Sequence, residues 1–282
     1  MLFDCCTTIV LSKITNTYSM ISNNSRNSIL AILFAGVISI AVVSPLKAAY
    51  AHTFSGGESA AFLALVKILQ ADLDQVQSNV ASNATLAQDH ANAVAEHLDA
   101  NTTKELAERN KLVTNDLTKS ISDLNQTVQS KPALDVVKGK ISNINSLLQE
   151  AITVRVEKNQ LSNSTVKGQA VSDIVDEVLE RYREAYGIEE GKSTAGHNSI
   201  VNVADYQSAQ AIAAKAQEMF NEAKQLIPAN ESSSTTITKV GSDLSTLKND
   251  IDTKLPYDRV ATFANSTITP DLKAVFKLGS SE

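Results

Sequence analysis

A chain of 282 residues that is 43% hydrophobic but only 5% aromatic, with no Trp, has the composition of helices packed through thin seams rather than of a thick globular core. Its formal net charge of -6 argues against general nucleic-acid binding, which needs a concentrated Lys/Arg surface. Cys5 and Cys6 are its only cysteines, so the chain beyond them holds neither a disulfide framework nor a Cys zinc site.

The apolar run ILAILFAGVISIAVV, Ile29 to Val43, carries no charge. It is shorter than the roughly 20 residues of a membrane span but suits the core of a signal peptide. Arg26 gives the positive flank, and Ala49-Tyr50-Ala51 gives a small-residue cleavage pattern. Residues 1–51 are therefore read as an N-terminal extension plus signal peptide, with Met20 as the candidate start and His52 as the mature N-terminus. The mature chain is expected outside the cytoplasmic membrane, which it touches only through an uncleaved signal segment.

Helical spacing then runs through the rest. Phe62, Leu65, Val66, Leu69, Leu73, Val76 and Val80 form one stripe. A short helix is expected over 84–99, opening at Asn83 or Thr85, and a third begins near Thr102 with Glu105 as its capping-box partner. Leu106, Val113, Leu117, Ile121, Leu124 and Val128 on the third face Leu134, Val137, Ile141, Ile144, Leu148 and Ile152 on a fourth that opens at Pro132. A fifth helix carries Val171, Ile174, Val178 and Tyr182, and ends near Gly187. An Ala-rich sixth runs from Tyr206 to Ile227, a seventh carries Val240, Leu244, Leu247 and Ile251, and a last segment reaches Phe276 with a break at Thr269-Pro270. The expected fold is all-α: an elongated antiparallel bundle of long hairpins, with N-terminal hairpins over 52–160 and a C-terminal helical region over 161–282 packed on them.

Chemistry-bearing residues are few. His90 and His97 lie two turns apart in AQDHANAVAEHLDA, so they share one face, with Asp89 and Glu96 beside them. Imidazole and carboxylate suit Cu(II), Ni(II) or Zn(II). Two turns separate the pair by about 10.5 Å, so a third ligand is needed, and His52 with its free amine is the candidate. His197 falls in a Gly/Ser/Thr loop and is expected to be exposed. Asp173, Glu177, Glu180 and Glu184, with Arg181 and Arg183, read as a solvated face of ion pairs. GIEEGKS is one residue short of a phosphate loop and follows a helix, and no nucleophile elbow is present, so an enzyme is not expected. Asn83, Asn101, Asn125, Asn163, Asn230 and Asn265 open N-x-[ST] triplets, candidate glycosylation sites in a secreted chain.

The stretch AHTFSGGESAAFLALVKILQADLDQVQSNVASNATLAQDHANAVAEHLD resembles a group of secreted helical proteins of ammonia-oxidising archaea, most closely over the signal junction and first two helices. The resemblance implies an archaeal envelope setting and brings no activity with it. DHANAVAEHL is also similar to the His-containing helices of small periplasmic metal-binding proteins, which carry more His per repeat. Together these likenesses imply copper as the ion. Two readings stand open: a metal-binding protein using His52, His90 and His97, and a structural or interaction component of the envelope, joined to a partner protein or to itself through its heptad-like stripes. An apolar-ligand carrier using the Ala-rich helix ranks below both.

Overall fold

The computed structural model describes residues 57–192, 199–228 and 234–279; His52, His197, Asn230 and the whole signal segment lie outside them. The described residues are helical throughout, with no strand among them. In chain order they form α1 (Glu58–Asn79), α2 (Ala84–His97), α3 (Ala100–Gln129), α4 (Leu134–Arg155), the single-turn α5 (Lys158–Leu161), α6 (Ser164–Ala185), α7 (Val203–Ala223), α8 (Ser234–Asp252), α9 (Tyr257–Phe263) and α10 (Thr269–Phe276). No helix among them is long and apolar enough to cross a membrane.

The first helix is the middle of the fold. The single stripe read from its sequence is buried, but so are Ala60, Leu63, Ala64, Ile68 and Ala71 around the rest of its circumference. A helix that is apolar on every side needs neighbours on every side. α1 accordingly packs against α2, α4, α6 and α7. Small residues at Ala60, Ala64 and Ala71 on α1, and at Ala209, Ala213 and Ala216 on α7, keep the side chains between these helices short.

α3 and α4 pack on each other through the two stripes expected of them, with Val113, Leu117, Leu124 and Ile144 at most 2% exposed. Two details differ from the sequence reading. α3 starts earlier, because the Asp99 side chain accepts from the Thr102 amide and so caps the helix in place of a Thr102–Glu105 box. It is also interrupted at Asn110, whose backbone leaves the helical region (φ -153, ψ 96) and whose side chain caps the amides of Leu112 and Val113. α4 begins at Leu134, two residues after Pro132.

α6 and α7 form the other half of the core and hold α8 by its end. The last carbonyls of a helix have no partner inside it. Here Tyr206 donates to the carbonyls of Ile251 and Asp252 (both 3.2 Å), and in the turn that follows α8 Tyr182 donates to Leu255 (2.6 Å) and Tyr186 to Lys254 (3.1 Å). The expected break at Thr269-Pro270 is a change of pitch instead. A π-helical turn over Ala264–Ile268 joins α9 to α10, and Pro270 sits in the first turn of α10, where a missing N–H costs little.

α10 closes on α6 at Gly168. A Cβ added to Gly168 would overlap the Phe276 side chain, whereas one added to Gly139 on α4 would meet nothing within 4 Å. Gly168→Ala is therefore expected to lower stability by about 1–3 kcal/mol through overpacking, and Gly139→Ala to raise it by about 0.5–1 kcal/mol through helix propensity, both read by urea unfolding.

Candidate functional site

A carboxylate stands in the middle of α1. Asp72 is fully buried. It lies three residues after Leu69 and four before Val76, a position the helical stripe would give to an apolar side chain. Asn79 follows it by two turns on the same face, just as His97 follows His90 on α2. The turn at 80–83, ended by the Asn83 side chain accepting from the Leu86 amide, folds α2 back along α1 and sets His90 and His97 against Asp72.

The Asp72 Oδ1 accepts from Ser208 Oγ of α7 (2.6 Å) and lies 3.1 Å from His90 Nδ1. The other ring nitrogen of His90, Nε2, is 3.0 Å from Gln207 Oε1. That amide is fixed in turn: Asn79 Nδ2 donates both to the Gln75 carbonyl and to Gln207 Oε1, each at 2.9 Å. Reversing either amide would set oxygen against oxygen. Both nitrogens of His90 consequently face acceptors.

His97 has a different environment. Its Nε2 lies 3.0 Å from Arg181 Nη2 of α6 and 3.6 Å from Asp72 Oδ2. A guanidinium only donates, so His97 Nε2 accepts and carries no hydrogen. Arg181 also donates from Nε to Glu177 (2.8 Å) and from Nη1 to Glu184 (3.3 Å) and Asp205 (3.4 Å). Glu177 is buried at 5% exposure, which corrects the expectation of a wholly solvated acidic face on this helix. The i,i+4 pair with Arg181 is present, but it points inward.

Burial drives the Asp72 carboxyl upward, but the His90 hydrogen bond, the neighbouring His97 ring, the Ser208 hydroxyl and the Arg181 charge outweigh it and hold Asp72 below the usual carboxylate range. Burial, with the Arg181 charge, pushes His97 below its ordinary value. Burial raises Glu184 to about 7 against the pull of Arg181, and raises Asp205 as well.

The structure thus brings His90 and His97 together, as their spacing implied, and joins them through Asp72. Asp89 and Glu96 are exposed and point away from that carboxylate's buried position. Among the described residues no three His, Cys, Asp or Glu side chains are arranged to hold a metal ion. The place beside His97 that a cation would take is filled by the Arg181 guanidinium. Ser208, His90 and Asp72 do not make a nucleophile–base–acid relay either, because the hydroxyl and the carboxylate both meet the same ring nitrogen and all three are buried.

Of the N-x-[ST] asparagines, Asn83, Asn101, Asn163 and Asn265 are exposed. Asn125 is half-buried, and its amide donates to Asn92 Oδ1 at 2.7 Å. No protein-family model, curated protein or solved structure matches this chain.

Removing one partner of a buried charge cluster leaves the others uncompensated. Asp72→Ala is expected to cost about 3–5 kcal/mol in urea unfolding, whereas Asp89→Ala and Glu96→Ala, on the exposed side of α2, are expected to stay within about 0.5 kcal/mol of the parent.

Proposed function

We propose that the protein is a non-catalytic, extracytoplasmic helical component of the cell envelope, delivered by a cleaved signal peptide and built as an antiparallel bundle of long hairpins for interaction rather than turnover. The observation that carries this reading is how the interior chemistry is spent. His90 uses both ring nitrogens on Asp72 and Gln207, His97 uses Nε2 on Arg181, and Asp72 holds Ser208. Side chains that would bind a substrate or an ion elsewhere serve here to join α1, α2, α6 and α7. Two surface depressions of about 310 and 400 Å³ are lined mainly by Ser, Thr, Asn and Gln, with no base or nucleophile pair converging in them. The partner, another envelope protein or a second copy, would meet the polar outer faces of α3 and α4.

One observation favours a second reading, binding of a copper-like ion by His52, His90 and His97. The two histidines of the sequence pair do converge, on a carboxylate that could complete a ligand set. Metal entry would have to displace Arg181 and Gln207, which is why the interaction reading is preferred.

Native mass spectrometry of the secreted chain with added copper separates the two. The interaction reading expects a chain beginning at His52 that retains no copper. It expects glycan, where present, on Asn83, Asn101, Asn163 or Asn265 rather than Asn125. One copper held per chain, and lost in His52→Ala at unchanged thermal stability, would establish the metal reading instead.

A further inference from the structure

We infer that His97 is a proton-operated switch that ties the end of α2 to α6 when its Nε2 is bare and to α1 when that nitrogen is protonated. The geometry gives the nitrogen two partners of opposite kind. Arg181 Nη2 on α6 lies at 3.0 Å and can only donate to it. Asp72 Oδ2 on α1 lies at 3.6 Å and can only accept from it. Asp72 Oδ2 is buried and has no hydrogen-bond partner, although its sister oxygen has two. A buried carboxylate oxygen without a partner is costly, and a small tilt of the His97 ring would supply one.

When Nε2 gains a proton, its N–H can no longer accept from Arg181, and two donors face each other. The ring moves toward Asp72 Oδ2. Arg181 loses its hold on α2 but keeps Glu177 and Glu184 on its own helix and Asp205 on α7. The proton therefore transfers the end of α2 from one neighbour to another without leaving a charge unpaired.

The surroundings of α2 set the direction of the response. α1 presents Asp72, α7 presents Asp205, Gln207 and Ser208, and α3 meets α2 through the neutral Asn125, which accepts from Gln88 Nε2 at 2.9 Å. From α6 come Arg181 and Glu177, and on α2 itself Glu96 adds a weak pull. Burial and the Arg181 charge, the leading opponents of the protonated ring, keep His97 below the ordinary 6.5. The unfolded chain thus takes the proton more readily than the folded one. The stability contributed by the bare ring is complete above pH about 6.5 and declines as the pH falls toward the folded value. Asp205 and Glu184 are shifted upward, so their linkage has the opposite sign, with stability lost as the pH rises.

The test is 15N-histidine NMR on the full-length chain between pH 8 and 5, joined to urea unfolding of the parent and of His97→Gln over the same range. An amide at 97 can accept from Arg181 and donate to Asp72 at once, and it does not titrate. Asp205 and Glu184 are present in both proteins, so the difference between the two isolates His97. At pH 8 the His97 Nε2 is expected to show the shift of a bare nitrogen with the proton on Nδ1. On acidification His97 Nε2 gains its proton and the Arg181 side-chain signals move with it. Below pH about 6.5 the parent is expected to lose up to about tenfold in folding equilibrium constant per pH unit relative to His97→Gln, the slope of a single proton. An N–H on His97 Nε2 at pH 8, or Arg181 signals that stay still while His97 titrates, would overturn the switch. Parallel pH profiles for the two proteins would do the same. The NMR arm decides the matter if His97→Gln does not fold.

Discussion

Asp72 is the constraint around which the helices are arranged. A carboxylate in the centre of the innermost helix cannot stay charged without partners, because moving an ion out of water costs several kcal/mol even after relaxation. Each neighbour that can reach it answers: His90 of α2 and Ser208 of α7 hydrogen-bond to it, and Arg181 of α6 adds its charge. Each partner is then held by another group. Gln207 and Asn79 orient His90, and Glu177, Glu184 and Asp205 hold Arg181. Replacing such a cluster with apolar side chains often leaves a protein as stable as before. Its value lies in specificity. A seam of Ala, Leu and Val tolerates sliding by a turn, whereas Asp72 satisfies its partners in one register only.

The same constraint accounts for the division of labour between the two halves. α1, α2, α6 and α7 carry the buried charges and the small residues that admit close neighbours. α3 and α4 carry fewer of both: Thr114 on α3, and Ala151 and Arg155 near the end of α4, where Arg155 pairs with Glu58 of α1 and Glu105 of α3. The two helices join through near-heptad Leu, Ile and Val stripes and turn Lys, Asp, Asn and Ser outward. Their contact with the rest runs through α3 on α2 and α4 on α1. Anything that shifts the end of α2 is felt first by α3, which begins three residues after His97 and is already interrupted at Asn110.

Helix positions were legible because a 3.6-residue apolar period survives in each segment, and the helices differ from the sequence reading mainly at caps and pitch changes. Asp99 rather than Thr102 caps α3, because both residue types cap well and only the chain path decides between them. The π turn before Pro270 left no mark in the pattern. The central place of α1 was missed for a different reason. The apolar residues outside its stripe, Leu63 and Ile68 above all, form a second buried face that a single stripe does not express.

The site was half legible. Seven-residue spacing put His90 and His97 on one face, and the i,i+4 rule paired Glu177 with Arg181. Which way those faces point depends on what lies across the seam, and the partners come from 18 residues away at Asp72, 84 at Arg181 and 117 at Gln207. A signal was present all the same. Asp72 occupies an apolar position of its own stripe, and an ionised group there demands counter-charges. Two histidines two turns apart on the next helix, with a turn between, are what an antiparallel neighbour can bring to Asp72. Spacing along one helix does not reveal that the cation beside a buried carboxylate is a guanidinium from another helix, as Arg181 is here. An arginine meets that need with fixed charge at every physiological pH, and it leaves the adjacent histidine free to report the proton.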